Sequence, residues 1–129
     1  MASVLDSKFI ELCSNNYIKE AKQFYHICTQ CQCPGKLNIH AYNDEAFRRA
    51  CGNGHLEVAK WLYSLDPENT NIHAGHDEAF RWACQNGHLD VAKWLIKLPN
   101  GVVLSPETKH SLYDYYKQLP QFREKYIKY

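Results

Sequence analysis

The densest set of metal-ligating or redox-active side chains lies in one short segment, where His26, Cys28, Cys31 and Cys33 fall within eight residues. Three thiolates and an imidazole can hold Zn²⁺ tetrahedrally, and Cys28-x-x-Cys31 has an accepted ligand spacing. The Cys31-x-Cys33 spacing is tight, however, and no second pair of ligands lies farther along the chain to close the site. We therefore predict no bound metal, and keep a metal- or redox-responsive loop as the alternative function.

The remaining histidines do not form a catalytic pattern. His55 and His88 occupy equivalent positions in two similar segments, as do His40 and His73. Catalysis needs one special copy rather than a matched set, so this repetition indicates a structural role. The single histidines lack a nearby Ser or Cys in a base–nucleophile arrangement, and no phosphate-binding Gly loop or paired-carboxylate site is present. We predict that the protein is not an enzyme and has no cofactor.

The composition is that of an ordinary globular protein. The 129 residues carry 15 Lys and Arg against 14 Asp and Glu, a formal charge of +1, which gives no electrostatic case for nucleic acid or an acidic membrane. No apolar run reaches the roughly 18 to 20 residues that span a bilayer, and the N-terminus lacks the features of a signal peptide. We expect a single soluble domain in the cytoplasm, as a monomer.

An internal repeat dominates the chain. Residues 38–63 and 71–96 are offset by 33 positions and share 20 of 26 residues. A fainter copy covers residues 6–25 at an offset of 38, and a degenerate unit follows Ile96. A repeat of this period is typical of a solenoid, in which each unit buries its apolar face against its neighbours.

Each unit encodes two short helices. Apolar residues at helical spacing mark one face of each helix, and they are Ala46, Phe47, Ala50 and Cys51 in the first and Leu56, Ala59 and Leu62 in the second. Asp44 and Glu45 stand where carboxylates cap a helix start, while Gly54, Gly87 and Asn16 stand where a left-handed residue ends one.

The segments GHLEVAKWL and GHLDVAKWL, with the 33-residue period, resemble the ankyrin repeat. The resemblance implies an all-α solenoid in a single domain, 1–129, with an N-terminal cap (5–33), two full repeats (38–70 and 71–103) and a C-terminal cap (105–128). The first helix departs from the family, since Glu-Ala-Phe-Arg replaces Thr-Pro-Leu-His. The segment between Ala41 and Glu45 is also about three residues shorter than the one that usually precedes this helix in the family, which argues against a normal projecting β-turn. This variant of the repeat sequence resembles the ankyrin arrays of large DNA viruses of amoebae.

Cys13, Cys51 and Cys84 occupy the same interior position of successive first helices. We predict that they are small buried hydrophobic residues, reduced in a cytosol-like compartment, which would be the host-cell cytoplasm for a viral protein. Trp61 and Trp94 also repeat in register, and we predict a structural role for both.

Positions that differ between repeats are free to face solvent and to recognise a partner. The ankyrin resemblance implies that the outer faces and turn tips of the first helices line a concave groove. We predict a non-catalytic module that binds another protein there, as a viral or host-interacting adaptor, through Glu11, Tyr42, Arg48, Arg49, His76, Arg81, Trp82, Gln85 and Tyr115. The alternatives are that Trp82 packs against a neighbouring repeat beside solvated arginines, or that the chain is a redundant fragment-like paralogue.

Overall fold

The computed structural model describes residues 4–30 and 37–99, which form six α-helices without a strand. The helices come in three pairs: α1 (Val4–Ser14) and α2 (Ile18–Gln30), α3 (Ala41–Gly52) and α4 (Leu56–Leu65), α5 (Ala74–Gln85) and α6 (Leu89–Lys97). Over the described ranges this confirms the prediction of an all-α helical-repeat solenoid. The proposed C-terminal cap, 105–128, lies outside the described residues, and the domain boundaries stay a prediction.

The turn inside each pair forms as the sequence predicts. Gly54 and Gly87 take φ of 79° and 77°, and Asn16, which replaces glycine in the first unit, takes φ of 62°. The left-handed conformation costs little for glycine and is tolerated by asparagine. Asn53 and Asn86 also link these turns to the preceding unit. The side-chain amide of Asn53 donates to the carbonyl of Ser14, the last residue of α1, at 3.1 Å, and that of Asn86 donates to the carbonyl of Gly52, the last residue of α3, at 2.8 Å.

The first helices carry the main contacts between units, because α3 packs against both α1 and α5. One continuous core runs through the stack. Its largest fully buried side chains include Phe9, Phe47 and Phe80, which are equivalent in the three units, and Val58 and Val91, which are equivalent in the second and third units. The interior cysteines Cys13, Cys51 and Cys84 are buried in the same core, as predicted.

Aromatic contacts join each unit to the next. The Trp61 ring centroid lies 5.9 Å from that of Phe9 and 5.7 Å, edge-on, from that of Tyr25. The same arrangement recurs one repeat later, where Trp94 lies 6.0 Å from Phe47 and 5.8 Å, edge-on, from Tyr63. Such pairs add about 0.5–1.5 kcal/mol beyond simple burial. The predicted structural role of both tryptophans is confirmed.

A left-handed turn leads into the regular first helix of the second unit. Tyr42, Asn43 and Asp44 take φ values of 55°, 55° and 59°, and the regular right-handed helix begins only after them. In the following repeat Gly75 and Asp77 take the same conformation, with φ of 66° and 61°. A left-handed residue other than glycine costs about 1–2 kcal/mol, so other contacts must hold this turn.

Asp44 supplies one of these contacts, and in doing so corrects the prediction that it caps its own helix. Its buried carboxylate accepts the backbone N–H of Asn71 at 2.8 Å and contacts Nδ1 of His40 at 2.5 Å. The first unit makes the same joint, because Asp6 accepts the backbone N–H of Asn38 at 2.7 Å. The carboxylate therefore ties one unit to the next instead of capping a helix start.

Candidate functional site

A cleft of about 320 Å³ opens between α1 and α3, and the variable residues Tyr42 and Arg49 are part of its lining. It is lined by side chains of both helices and of the left-handed turn, among them Ser7, Glu11, Asn15, Tyr42, Glu45 and Arg49. Three residues predicted to bind a partner, Glu11, Tyr42 and Arg49, thus meet at one cleft. Their role in binding stays a prediction.

Arg49 forms an ion pair within α3. Its Nη2 lies 2.8 Å from Oε1 of Glu45, and its Nε donates to the same oxygen at 3.0 Å. About half of the Arg49 side chain remains exposed. A surface pair at i,i+4 spacing contributes only about 0.3–0.5 kcal/mol, so a partner could displace it at little cost.

Trp82 both packs against the neighbouring repeat and faces solvent. It lies over Gly52 so closely that a Cβ atom on Gly52 would fall 2.8 Å from Cε3 of the indole. Trp82 is nevertheless 39% exposed. Gly52 itself is buried, although it differs from Gln85 at the equivalent position, and this corrects the expectation that positions that differ between repeats face solvent. Glycine in one repeat is therefore matched to tryptophan in the next.

Arg48 and Arg81 have a structural role that the sequence interpretation missed. Nη2 of Arg48 donates to the carbonyl of Tyr42 at 2.6 Å, and Nη2 of Arg81 donates to the equivalent carbonyl, that of Gly75, at 2.9 Å. Arg48 also pairs with Glu78 of the next repeat at 3.1 Å. These bonds stabilise the left-handed turns, and any contact of the two arginines with a partner stays a prediction.

The other predicted binding residues are less informative. Gln85 is exposed at the end of α5. His76 lies in the first turn of α5. Tyr115 lies outside the described residues.

The His26 and cysteine segment is only partly described. His26 is exposed near the end of α2, Cys28 is a half-buried free thiol, and Cys31 and Cys33 lie outside the described residues. Among residues 4–30 and 37–99, no group of three or more His, Cys, Asp or Glu side chains could hold a metal ion. Because Cys31 and Cys33 lie outside these ranges, the metal-binding alternative stays untested.

His40 occupies a network that the sequence interpretation recognised only as structural. Its Nδ1 contacts Asp44 at 2.5 Å and its Nε2 contacts Asp66 at 3.0 Å. Partial burial disfavours the charged ring, but hydrogen bonds to Asp44 and Asp66 outweigh it and raise the pKa of His40. The hydrogen bond from His40, with a second from Asn69, lowers the pKa of Asp66.

The other repeated histidines also lie at joints between units. Nε2 of His55 lies 3.0 Å from the carbonyl oxygen of Ser14 in the preceding unit, so this contact joins two units. The ring of His88 packs directly against Gly54 of the preceding repeat. His73 contacts Asp77 at 2.6 Å, equivalent to the pair of His40 and Asp44. These positions support a structural role for the set.

Three helix–turn–helix units, stacked through their first helices and lacking strands in the described residues, define a helical-repeat solenoid. The family model described as ankyrin repeats, in three copies, matches residues 10–105. The chain belongs to the ankyrin-repeat family. Ankyrin repeats generally mediate protein–protein interactions and are typically not enzymes. No curated protein and no solved structure matches the chain significantly. None of the described helices is both long and apolar enough for a membrane crossing.

Proposed function

We propose that the protein is a non-catalytic adaptor that binds another protein through one surface of the stack. This groove surface consists of Glu11, Tyr42, Arg49, Trp82 and Gln85. Each is exposed, and all except Tyr42 lie on the regular first helices. The repeat sequence resembles the arrays of amoebal DNA viruses, which supports a viral or host-interacting role for this adaptor.

One observation carries the proposal: the core of the two repeats is built from residues that they share, whereas the residues that differ are mostly exposed. Tyr42 is 57% and Trp82 is 39% exposed, while shared residues such as Phe47, Phe80 and Val91 are at most 2% exposed. Tryptophan, tyrosine and arginine are the residue types most enriched where interfaces concentrate their binding energy. The groove surface therefore combines freedom to vary with a composition suited to recognition.

The cysteines support a reducing compartment, which we propose is the host-cell cytoplasm. The four cysteines within the described ranges are free thiols, and three of them are buried. Burial raises the pKa of Cys13 and of Cys84 to about 12 and raises that of Cys51 as well, which suppresses the reactive thiolate. The near balance of charge, +1 overall, further favours a protein over nucleic acid as the partner.

Affinity capture from an amoebal host-cell lysate tests the proposal. Wild-type protein is compared with Arg49→Ala/Trp82→Ala and with a matched control, Glu57→Ala/Lys60→Ala, which alters exposed residues of α4. Circular dichroism checks that each variant folds. A protein retained by wild type and control but lost by the groove variant supports the adaptor. Equal capture by all three contradicts the groove surface, and capture of nothing favours the redundant paralogue.

A further inference from the structure

We propose that the cleft between α1 and α3 receives an arginine side chain of the partner protein. This inference rests on the proposed function and assigns a specific recognition chemistry to one part of the groove surface. It depends on the charges that line the cleft, on the helix end beside them, and on the exposed residue Tyr42.

The charges of the cleft favour a cation. Glu11 and Glu45 contribute two carboxylates and Arg49 contributes one guanidinium, which leaves one excess negative charge. Both bonds from Arg49 end on Oε1 of Glu45, and within the described residues no ion pair joins Arg49 to Glu11. Glu11 is exposed, and its carboxylate is therefore available to an incoming donor.

The position of the cleft along α1 adds to this preference. Glu11, Ser14 and Asn15 line the cleft at the last turn of the 11-residue helix. The partial negative charge at a helix C-terminus favours a nearby cation, although the Ser14 carbonyl at this end already accepts the Asn53 side-chain amide at 3.1 Å. The helix end and the Glu11 carboxylate thus act in the same direction.

Tyr42 makes arginine a better occupant than lysine. Tyr42 is 57% exposed, and the turn that carries it is held by the Arg48 guanidinium, which donates to the Tyr42 carbonyl at 2.6 Å. A guanidinium stacks on an aromatic face and pairs with a carboxylate through two parallel N–H groups, whereas an ammonium offers only a point charge. Glu11 and Tyr42 can therefore engage the same arginine.

The size of the cleft fits one side chain and its adjoining backbone. Its volume of about 320 Å³ lies at the lower limit of ligand pockets, which range from about 300 to 1,000 Å³. We therefore expect the cleft to recognise a single arginine within a larger interface.

The first test titrates ¹⁵N-labelled protein with N-acetylarginine amide, N-acetyllysine amide and N-acetylcitrulline amide, followed by NMR. We expect saturable shifts at Glu11, Asn15 and Tyr42 with arginine, binding about threefold weaker with lysine, and none with uncharged citrulline. Equal responses to arginine and citrulline, no shifts at these residues, or equal shifts at unrelated carboxylates such as Glu68 would overturn the proposal.

Charge-neutral variants provide the second test. We expect Glu11→Gln and Glu45→Gln each to weaken arginine-amide binding up to about fivefold, the scale of an exposed charge pair. Glu57→Gln removes an exposed carboxylate from α4 and should leave binding unchanged. Heteronuclear spectra check the fold of each variant. An unchanged affinity in Glu11→Gln contradicts the assignment.

The two proposals fail in different ways. If lysate capture depends on Arg49 and Trp82 but arginine amide does not bind the cleft, the adaptor stands and the arginine subsite is wrong. If arginine amide binds with the expected variant pattern but no protein is captured, the subsite stands and the adaptor proposal is contradicted.

Discussion

The carboxylate of Asp44 accepts the backbone N–H of Asn71 at 2.8 Å, and so links the turn of one repeat to the start of the next. Asp6 and Asn38 are joined in the same way one unit earlier, at 2.7 Å. Both aspartates are at most 5% exposed. A charge buried to this extent persists only when it is paired and hydrogen-bonded. Loss of either joint should therefore strongly destabilise the fold.

We predict that Asp44→Ala lowers the free energy of unfolding by about 2–4 kcal/mol, because it removes charge-assisted bonds to Asn71 and His40 and leaves their polar groups unpaired. Asp44→Asn keeps an acceptor oxygen and tolerates the left-handed φ, and should cost only about 1–2 kcal/mol. Urea denaturation measures both changes. Glu68→Ala alters an exposed loop and serves as the control. Equal stability of Asp44→Ala and the control would contradict the prediction.

We predict that His40 makes stability depend on pH. Because its folded-state pKa is raised, its contribution is fully present below its unfolded pKa of about 6.5 and is lost as pH rises through the folded value. The pKa of Asp66 is lowered, so its contribution is present above about 3.9 and is lost as pH falls through the folded value. The pair should stabilise most between about pH 4 and 6.5.

Chemical denaturation of wild type and His40→Gln at several pH values checks this prediction. The difference in unfolding free energy should be largest near pH 6 and should shrink toward pH 8. A difference that is constant over this range, or that grows with pH, would show that the charged ring of His40 does not stabilise the fold.

A third prediction concerns the contact between Gly52 and Trp82. We expect Gly52→Ala to destabilise the wild-type protein by about 1–3 kcal/mol, because the added Cβ would lie 2.8 Å from the indole. In a Trp82→Ala background the same change should stabilise by about 0.5 kcal/mol, since alanine is the better helix residue. Thermal or urea unfolding of the four proteins gives the double-mutant cycle. The same sign in both backgrounds would contradict the steric coupling.

A fourth prediction concerns thiol reactivity. Cys13, Cys51 and Cys84 should resist a disulfide reagent at pH 8 in the folded protein, because burial raises their pKa and blocks access. The half-buried Cys28 should react faster than these three. Mass spectrometry after brief labelling assigns each modified residue, and labelling in denaturant confirms that all can react. Rapid native labelling of Cys51 would show that the core opens.

The repeat, the helix pairs, the glycine turns and the buried cysteines could all be predicted from the sequence, since each follows from periodicity or from the conformational preference of one residue. Arg48 and Arg81 show what the sequence analysis missed, namely that both side chains support the left-handed turns. Both were predicted to bind a partner, which stays a prediction, although this position is arginine in both repeats. The identity of this position in both repeats could have indicated a structural role, as it did for Trp61 and Trp94.

The joints were harder to predict because they depend on which groups meet in space. Asp44 stands at a helix start, where a cap is the ordinary expectation, and only the left-handed turn redirects its carboxylate to Asn71. Likewise, Gly52 and Trp82 belong to different repeats, 30 positions apart. Nothing in either repeat alone indicates that the small residue accommodates the large one.

Recurrence of the aspartate joint has a consequence for how such an array can grow. Asp6 accepts the backbone N–H of Asn38, and Asp44 accepts that of Asn71. A 33-residue unit therefore contains both a donor for the unit before it and an acceptor for the unit after it. In-frame duplication of the gene segment for residues 38–70 would therefore create a new junction whose bonding groups already match. Array length can change by recombination without any compensating point mutation at the joint.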